Sequence, residues 1–190
     1  YRQFGDIDRL HKVFPALCAY AKWWKLNRTW PNGTYWSSGW GTGMDNTPRV
    51  PEGYNQIFSN GHMEWLDANL QQMLVNESLL QIGFYIERWQ EIEEVEDENR
   101  FLKKHINDFM WNDEEGFLFD RYADGSLGTA KGIYAYWALQ TDVLDKERLD
   151  RFVAHLSDST EFDRPHRVPS LSADHRKYNA LGRYWQGGVW

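Results

Sequence analysis

The stretch HMEWLDANLQQMLVNESLLQIGFYIER, residues 62–88, decides the fold class of this sequence. Its apolar residues recur three and four positions apart, which is the period of an α-helix. These positions cover a wide face of the helix: Trp65, Leu66, Leu70, Met73, Leu74, Leu79, Leu80, Ile82, Gly83 and Ile86. A helix with so wide an apolar face is predicted to be substantially buried inside a helical domain.

Amphipathic helices are predicted on both sides of this buried helix. Upstream, residues 7–26 repeat the helical period with one apolar face. Downstream, residues 92–110 begin with a run of acidic side chains, which suits the N-terminal half of a solvated outer helix. Two further helices are predicted over residues 130–140 and 146–157. Buried and amphipathic helices thus alternate, so we predict an all-α fold of inner and outer helices with the loops gathered at one end.

Two segments interrupt the helical pattern. Residues 116–122 alternate apolar and polar side chains and lead into turn residues 123–125, which predicts a short hairpin or turn. Residues 27–60 are rich in Gly, Pro, Asn and Trp and have no period. So long a loop in a compact domain is usually functional or disordered, and its Trp and Tyr residues argue against disorder. We therefore predict an ordered, functional loop.

Charge and composition exclude several classes of function. The formal net charge is -7, and the chain lacks the clustered Lys and Arg that nucleic-acid phosphates need. No apolar run approaches the roughly 18 residues that span a bilayer. The single cysteine, Cys18, excludes an internal disulfide and is expected to be a buried, inert thiol. We expect a soluble protein, cytoplasmic or periplasmic or secreted, without nucleic acid, membrane, metal or cofactor partners.

The two ends of the chain suggest a piece of a larger protein. Residue 1 is Tyr1 rather than an initiator methionine, and the patterned run 184–190 stops on Trp190. A length of 190 residues nevertheless suits one domain with a core of its own. We interpret residues 1–190 as a single domain, the N-terminal part of a larger unit.

Aromatic residues make up 16% of the chain, which includes 11 Trp. Trp has an apolar face and an N–H group that needs a partner. Sugars offer the matching surface, because their apolar C–H faces are flanked by hydroxyls. Core packing is the alternative role for any single Trp, and only the clustering in the long loop favours sugar binding. Trp36 and Trp40 are the candidate sugar platforms in that loop.

The densest group of chemically informative residues is 35–49, within the long loop. Aromatic residues and three glycines surround one carboxylate, Asp45, and glycines let a backbone approach a ligand closely. Partial removal from water helps a carboxyl group hold the proton that a glycosidase general acid must deliver to the leaving oxygen. Asp45 is the candidate for that role. The alternative is an ordinary Asp-Asn-x-Pro turn in which Asp45 caps a local N–H group.

The run GTGMDNTPR, residues 41–49, resembles the Gly-Met-Asp-Asn-Ser-Pro-Arg segment of glycoside hydrolase family 63 and its mannosylglycerate-hydrolase-like bacterial relatives. In those enzymes this segment carries the catalytic acid. Three later segments are similar to the family in the same order: Trp65-Leu66-Asp67, Val168-Pro169-Ser170-Leu171-Ser172 and Tyr184-Trp185-Gln186-Gly187-Gly188-Val189-Trp190. The similarity runs from about Gly33 to the last residue.

The resemblance implies a partial (α/α)6 toroid and the hydrolysis of an α-linked glucoside or mannoside with inversion, with Asp45 as general acid. An inverting enzyme needs a second carboxylate, roughly 6.5 to 9.5 Å from the first, to activate water. In the relatives that base lies well downstream of the segment matching 184–190. Residues 1–190 are therefore expected to be an inactive fragment of a catalytic domain that acts on an oligosaccharide or small glycoside.

Eight residues are candidates for binding substrate. They are Trp36, Trp40, Asn46, Arg49, Tyr184, Trp185, Gln186 and Gly187. Arg49 is expected either to clamp a sugar hydroxyl or carboxylate, or to pin the loop to an acid such as Asp45. Gln186 stands where relatives commonly have arginine, which removes a fixed cation near the sugar and leaves the identity of the substrate open.

Other polar residues have simpler interpretations. Glu64 and Asp67 share one face of the predicted helix and do not straddle a sugar, so Glu64 is expected to be structural. Asp67 is expected either to anchor a loop or to contact the ligand. His62 has no second histidine at the spacing of a zinc site. The acidic residues within 113–124 suit a solvated turn better than a calcium loop.

Two other classes of function remain compatible with the sequence. A carbohydrate-binding or scaffold domain without chemistry would share the fold, and a missing downstream carboxylate in the whole protein would favour it. A sugar epimerase or phosphorylase would also share the fold. Epimerases of this type depend on histidines, and the six His of this chain are scattered. A phosphate requirement for cleavage would favour a phosphorylase.

Overall fold

The computed structural model of the chain describes residue 3 and residues 5–190. Its regular elements, in chain order, are α1 (Ile7–Asn27), α2 (Gly39–Thr42), α3 (Leu66–Tyr85), α4 (Trp89–Phe109), β1 (Trp111–Asn112), β2 (Phe117–Leu118), the 3₁₀ helix Ile133–Gln140, α5 (Lys146–Ala154) and the 3₁₀ helix His155–Ser157. The predicted domain spans residues 1–190, and its positions 1, 2 and 4 lie outside the described residues. Within the described part, no helix is both long and apolar enough to cross a membrane.

Helix α1 forms where the sequence predicts it. Its first turn is capped by Asp6, whose carboxylate accepts the N–H of Arg9 at 2.9 Å. One face buries Leu10, Phe14 and Ala21 in a cluster with Leu79 of α3. The thiol of Cys18 is half-buried beside this cluster rather than fully buried as expected, and burial raises its pKa.

Helix α3 begins at Leu66, four residues later than position 62, where the sequence pattern begins. Two long-range pairings prevent an earlier start. The N–H of Glu64 donates to the carbonyl of Arg121 at 2.8 Å, and the N–H of Trp65 donates to the carbonyl of Tyr35 at 3.1 Å. The predicted helical position of Glu64 is therefore wrong, and Glu64 lies in a short antiparallel bridge before the helix.

Helices α3 and α4 form an antiparallel pair at the centre of the fold. Buried Leu70 and Met73 of α3 share one core cluster with Leu102 and Ile106 of α4. At the turn between the helices, a Cβ atom on Gly83 would lie 2.3 Å from Ile92 Cγ2, so the glycine permits the close approach. The acidic residues of α4 that the sequence predicted to be solvated are exposed: Glu93, Glu94, Glu96 and Asp97. The buried inner helix and amphipathic outer helix are both confirmed.

A hairpin that the sequence did not predict follows α4. Strand β1 pairs with β2, so the tight turn is 113–116. The side chain of Asn112 forms that turn by accepting the N–H groups of Glu114 and Glu115 at 2.9 and 3.0 Å. The predicted hairpin at 116–125 comes next and is confirmed: Arg121 pairs with Leu127 across the turn, and the N–H of Tyr122 donates to the carbonyl of Ser126 at 2.8 Å.

The predicted helix 130–140 is a 3₁₀ helix, and only from Ile133 onward. Gly132 forms a bridge with Leu171, and the N–H of Ile133 donates to the carbonyl of Ser170 at 3.0 Å. The short remaining segment adopts the tighter helix that proteins use in short pieces. Helix α5 and the following 3₁₀ turn cover 146–157 as predicted.

The two long irregular segments of the chain meet at one end of the helices. The segment 28–65 connects the end of α1 to the start of α3, and the segment 158–190 follows α5. The side chain of Asn46 reaches the carbonyl of Arg183 at 2.9 Å across this end. The loops are therefore gathered as predicted, and this end is where the candidate site lies.

Candidate active site

The segment that carries Asp45 is fixed by the short helix α2. Ser38 caps this helix, because its hydroxyl accepts the N–H of Gly41 at 3.1 Å. A Cβ atom on Gly39 would lie 2.4 Å from the carbonyl oxygens of both Asp45 and Gln56. Only glycine allows this approach, so Gly39 sets the position of the Asp45 backbone.

The carboxyl group of Asp45 is half-buried. Within residue 3 and residues 5–190 it makes no hydrogen bond and no ion pair. The turn around it is closed by backbone groups, since the N–H of Thr47 donates to the carbonyl of Met44 at 3.2 Å. The alternative interpretation, in which Asp45 caps a local N–H group, is therefore wrong.

A small cavity adjoins this segment. It has a volume of about 120 Å³ and lies between α1, α3 and the loop, with Gly41, Thr42 and Gln71 among its lining residues. A larger groove of about 650 Å³ lies between α3, α4 and the end of the first 3₁₀ helix. None of the predicted site residues lines that groove. Asp45 itself lines neither of the two.

Arg49, four residues after Asp45, is buried, with 1% of its surface exposed. Its guanidinium binds Asp67 through two hydrogen bonds of 2.8 and 3.0 Å. It binds Asp120 through two more, of 2.5 and 2.8 Å. The predicted contact of Arg49 with a sugar is therefore wrong, because no donor faces solvent. The other expectation, that Arg49 pins the loop to an acid, is confirmed, but the acids are Asp67 and Asp120 rather than Asp45.

This ion cluster holds one cation against two carboxylates. Burial alone would lower the pKa of Arg49, but the charges of Asp120 and Asp67 raise it well above its ordinary value. Burial and the nearby Asp120 charge raise the pKa of Asp67, although Arg49 opposes them. The N–H of Leu66 also donates to Asp120 at 2.9 Å. The cluster thus joins the Asp45 loop to the start of α3 and to the hairpin segment.

Glu64 anchors the other end of the loop. Its carboxylate accepts from Asn32 at 2.7 Å and from Arg121 at 2.9 Å, and it lies 2.6 Å from His105 Nε2. Burial alone would raise the pKa of Glu64, but these partners lower it below its ordinary value. The structural role predicted for Glu64 is confirmed, although its partners lie far away in sequence.

A second buried cation anchors the segment 158–174. The Nζ of Lys131 lies 2.6 Å from Glu161 and 2.9 Å from Glu115, and Glu161 also contacts His155. Burial alone would lower the pKa of Lys131, but its hydrogen bonds to Glu161 and Glu115 raise it. The sequence analysis did not identify this cluster, because none of its residues lies in a recognised motif.

The loop 183–186 lies directly beside Asp45, because Asn46 contacts it. The Nδ2 group of Asn46 donates to the carbonyl of Arg183 at 2.9 Å, and its Oδ1 accepts the N–H of Trp185 at 2.9 Å. The side chain of Gln186 donates back to the carbonyl of Asn46 at 3.4 Å. The structure therefore brings together five of the predicted site residues: Asp45, Asn46, Tyr184, Trp185 and Gln186.

Several aromatic rings surround this junction. Trp185 stacks on Trp190 with ring centroids 4.7 Å apart, and Tyr184 meets Trp190 edge-on at 5.2 Å. Trp40 on α2 is 68% exposed and lies 5.9 Å from Phe58. Four of these rings are exposed, Trp40, Phe58, Tyr184 and Trp190, whereas Trp185 is half-buried. Their predicted role as sugar platforms stays a prediction.

Trp36 and Gly187 have additional structural roles. Trp36 is half-buried between Trp30 at 5.9 Å and the guanidinium of Arg28 at 4.6 Å. Gly187 has a φ of 147°, and a Cβ atom there would lie 2.4 Å from the carbonyl of Asn179. Gly187 is thus required for the close packing of the loop 179–188 on itself.

The acidic turn that the sequence suggested is divided by the structure. Asp113 and Asp124 are exposed, but Asp120 is buried beside Arg49, so its assignment to a solvated turn is wrong. The position of Asp120 directly after the apolar run 117–119 is the sequence signal that could have indicated its burial. No group of three His, Cys, Asp or Glu side chains within the described residues is arranged to hold a metal ion.

A family model for the mannosylglycerate hydrolase MGH1-like glycoside hydrolase domain matches residues 1–190. The chain belongs to this family of glycoside hydrolase domains. The resemblance drawn from the motifs is thereby confirmed.

Solved structures support the fold. A sialidase matches with a TM-score of 0.84 and 17% identity over 98% of this chain and 17% of its own. The GH63 mannosylglycerate hydrolase from Thermus thermophilus, in complex with glucose, matches with a TM-score of 0.80 and 21% identity over 97% of this chain. The predicted partial (α/α)6 toroid is confirmed.

The matched proteins are longer than this chain. A protein from Borreliella burgdorferi is 24% identical over 194 residues, which is 100% of this chain and 38% of that protein. The chain likewise spans 53% of the Thermus thermophilus hydrolase chain. The activity of any whole protein that contains this domain is therefore a matter for proposal.

Proposed function

We propose that this domain supplies the general acid of an enzyme that hydrolyses an α-linked glucoside or mannoside with inversion, and that Asp45 is that acid. The observation that carries the proposal is the state of its carboxyl group, which is half-buried and has no partner within the described residues. A proton donor must be free to meet the leaving oxygen of the substrate.

The buried carboxylates of the region are already engaged. Asp67 and Asp120 bind Arg49, Glu64 binds His105 and Arg121, and Glu161 binds Lys131. Buried groups of this kind are out of reach of a substrate. Glu52, the other acidic residue of the segment 28–63, is exposed at the loop tip. Asp45 is therefore the acid whose surroundings suit proton transfer.

The aromatic rings beside Asp45 suit a sugar ring. Asn46, the neighbour of the proposed acid, binds the carbonyl of Arg183 and the N–H of Trp185. Tyr184 and Trp185 therefore lie close to Asp45 in the fold. Aromatic faces pack well against the apolar C–H faces of sugars. We propose that the glycosyl unit binds against these rings and that Trp40 extends the surface on the other side of the loop.

The mechanism requires a second carboxylate to activate water. We propose that a segment outside this chain provides it, since the chain spans only 53% of the Thermus thermophilus hydrolase. That carboxylate would face Asp45 across the sugar at the separation that inversion requires, roughly 6.5 to 9.5 Å. A domain without this partner is expected to bind sugar without cleaving it.

The test uses the full-length enzyme with α-glucosyl and α-mannosyl glycerates and disaccharides, and NMR identifies the anomer released first. We expect the β-anomer. Asp45→Asn is expected to lower kcat by about 10²–10⁴-fold, because the proton donor is lost. Glu52→Gln is the matched control and should keep normal activity. Initial release of the α-anomer would overturn inversion, and near-normal turnover by Asp45→Asn would overturn the assignment of the acid.

A further inference from the structure

We infer that Asn46 is a positioning residue: it fixes the loop that carries Tyr184 and Trp185 relative to Asp45. This replaces the sugar contact predicted for Asn46 from the sequence, and it rests on the proposed role of Asp45. The basis is the pair of hydrogen bonds between the Asn46 amide and the backbone on both sides of Tyr184.

The amide of Asn46 connects two segments that lie far apart in the sequence. Its Nδ2 donates to the carbonyl of Arg183 and its Oδ1 accepts the N–H of Trp185, each at 2.9 Å. These partners are 137 and 139 positions away. One donor and one acceptor of the same amide thus hold the peptide groups before and after Tyr184.

The loop at 183–184 needs such support because of its backbone conformation. Arg183 has a φ of 37° and Tyr184 has a φ of 69°. Both lie in the left-handed region that side chains other than glycine rarely adopt. Two neighbouring residues in this region persist only where outside contacts hold them. Asn46 supplies those contacts on the side that faces Asp45.

The ends of the same loop are held independently of Asn46. The N–H of Asn179 donates to the carbonyl of Gln186 at 2.7 Å, and the N–H of Ser170 donates to the carbonyl of Gly188 at 2.8 Å. These bonds fix where the loop begins and ends. At the crest, Tyr184 also contacts Trp190, whose Nε1 donates to the Tyr184 carbonyl at 3.4 Å. The Asn46 amide is the contact that connects the crest to the Asp45 segment.

Asn46 is itself held on a rigid backbone. On one side, the carbonyl of Asp45 is in close contact with Gly39, and on the other side Arg49 is locked in its ion cluster. A rigid support is what a positioning residue needs. Asn46 thus transfers the fixed geometry of the Asp45 segment to the aromatic loop.

The experiment compares two leaving groups in the full-length enzyme. A glycosyl fluoride releases fluoride with little help from an acid, whereas a glycosyl glycerate needs proton transfer to its leaving oxygen. If Asn46 sets the alignment of sugar and acid, Asn46→Ala should lower kcat on the glycerate substrate by roughly tenfold to hundredfold. Hydrolysis of the matching α-glucosyl or α-mannosyl fluoride should change much less, and KM should change little on either substrate.

Two further variants make the test specific. Asn46→Ser shortens the side chain without adding charge and should show the same selective loss, which guards against a folding defect of one variant. Asn112→Ala is the matched control, because Asn112 also closes a turn with its side chain but lies in the distant hairpin. Asn112→Ala should leave the ratio of the kcat values on the glycerate and fluoride substrates unchanged.

The outcomes separate the two proposals. Asp45→Asn, measured in parallel, must show the leaving-group selectivity, and its absence would overturn the proposed function. Suppose that Asp45→Asn shows this selectivity but the Asn46 variants lower kcat equally on both substrates. The positioning role of Asn46 is then overturned in favour of a general structural role. If the Asn46 variants only raise KM, the positioning role is overturned in favour of a sugar contact.

Discussion

Asp45 and Arg49 lie four residues apart on one loop and have opposite surroundings. Arg49 is buried and binds two carboxylates, whereas Asp45 is half-buried and its carboxyl group has no partner within the described residues. The contrast teaches that the loop has an anchored part and a free part. Because the ion cluster fixes the backbone of the loop, the position of Asp45 does not depend on contacts of its carboxyl group.

The largest expected effect tests this contrast directly. Arg49→Leu leaves Asp67 and Asp120 buried without a cation, which should destabilise the protein by about 3–5 kcal/mol. Asp45→Asn should change stability by less than about 0.5 kcal/mol, since nothing is bound to the side chain. Chemical denaturation of the full-length protein measures both. Similar losses for the two variants would contradict the division into anchored and free parts.

The next effect sharpens the comparison at the backbone. Gly39→Ala places a Cβ atom 2.4 Å from the Asp45 and Gln56 carbonyls, which must move apart at a cost of about 1–3 kcal/mol. We expect lower kcat as well, because Asp45 is displaced. Gly41→Ala is the milder comparison in the same short helix, because its Cβ would meet side-chain oxygens, Ser37 Oγ at 2.7 Å and Ser38 Oγ at 3.3 Å, which move more easily than backbone carbonyls. Equal effects of the two variants on kcat would show that Gly39 does not set the position of Asp45.

Acid sensitivity should come from the anchored part. The folded-state pKa of Glu64 is lowered from 4.5, so its contribution to stability is present above pH 4.5 and is lost as the pH falls through the folded-state value. In denaturation curves at several pH values, the stability difference between the unmodified protein and Glu64→Gln should therefore be constant near neutral pH. This difference in the free energy of unfolding should narrow below about pH 4.5. A difference that stays constant into that acidic range would exclude Glu64 as the source.

The smallest expected effect concerns the exposed rim. Trp40→Ala removes a ring that is 68% exposed, so stability should change by less than about 0.5 kcal/mol. KM should rise about threefold to tenfold if the ring contacts substrate, which corresponds to about 1 kcal/mol. Steady-state kinetics of the full-length enzyme measure this change. An unchanged KM would remove Trp40 from the proposed binding surface.

Much of the fold follows from local sequence pattern. The apolar face of α3 is largely buried as predicted, and the acidic residues of α4 are exposed. On α1, Leu10, Phe14 and Ala21 are buried, whereas Leu17 and Tyr20 of the same predicted face are exposed.

The errors in where helices begin share one cause, which is pairing between distant segments. Glu64 leaves the predicted helix because it pairs with Arg121, and Ile133 begins a 3₁₀ helix because Ser170 takes its first N–H group. Such pairings leave no periodic signal.

The candidate site was predictable only in part. The motif identified Asp45 and the neighbouring segment 184–186, and the structure brings them together through Asn46. The motif did not reveal that Arg49 is buried, because an arginine close to an acid in the sequence suits both a ligand contact and an ion cluster. The partner that decides between them, Asp120, lies 71 positions away.

The exposed tip of the loop has a practical consequence for engineering. Residues 52–55 are exposed and lie between two anchored points, Arg49 and Glu64. Insertions between fixed ends add little closure entropy, and surface loop tips tolerate changes of length. A library of inserted peptides confined to these four positions is therefore a way to alter selectivity for larger glycosides while the helical scaffold stays intact.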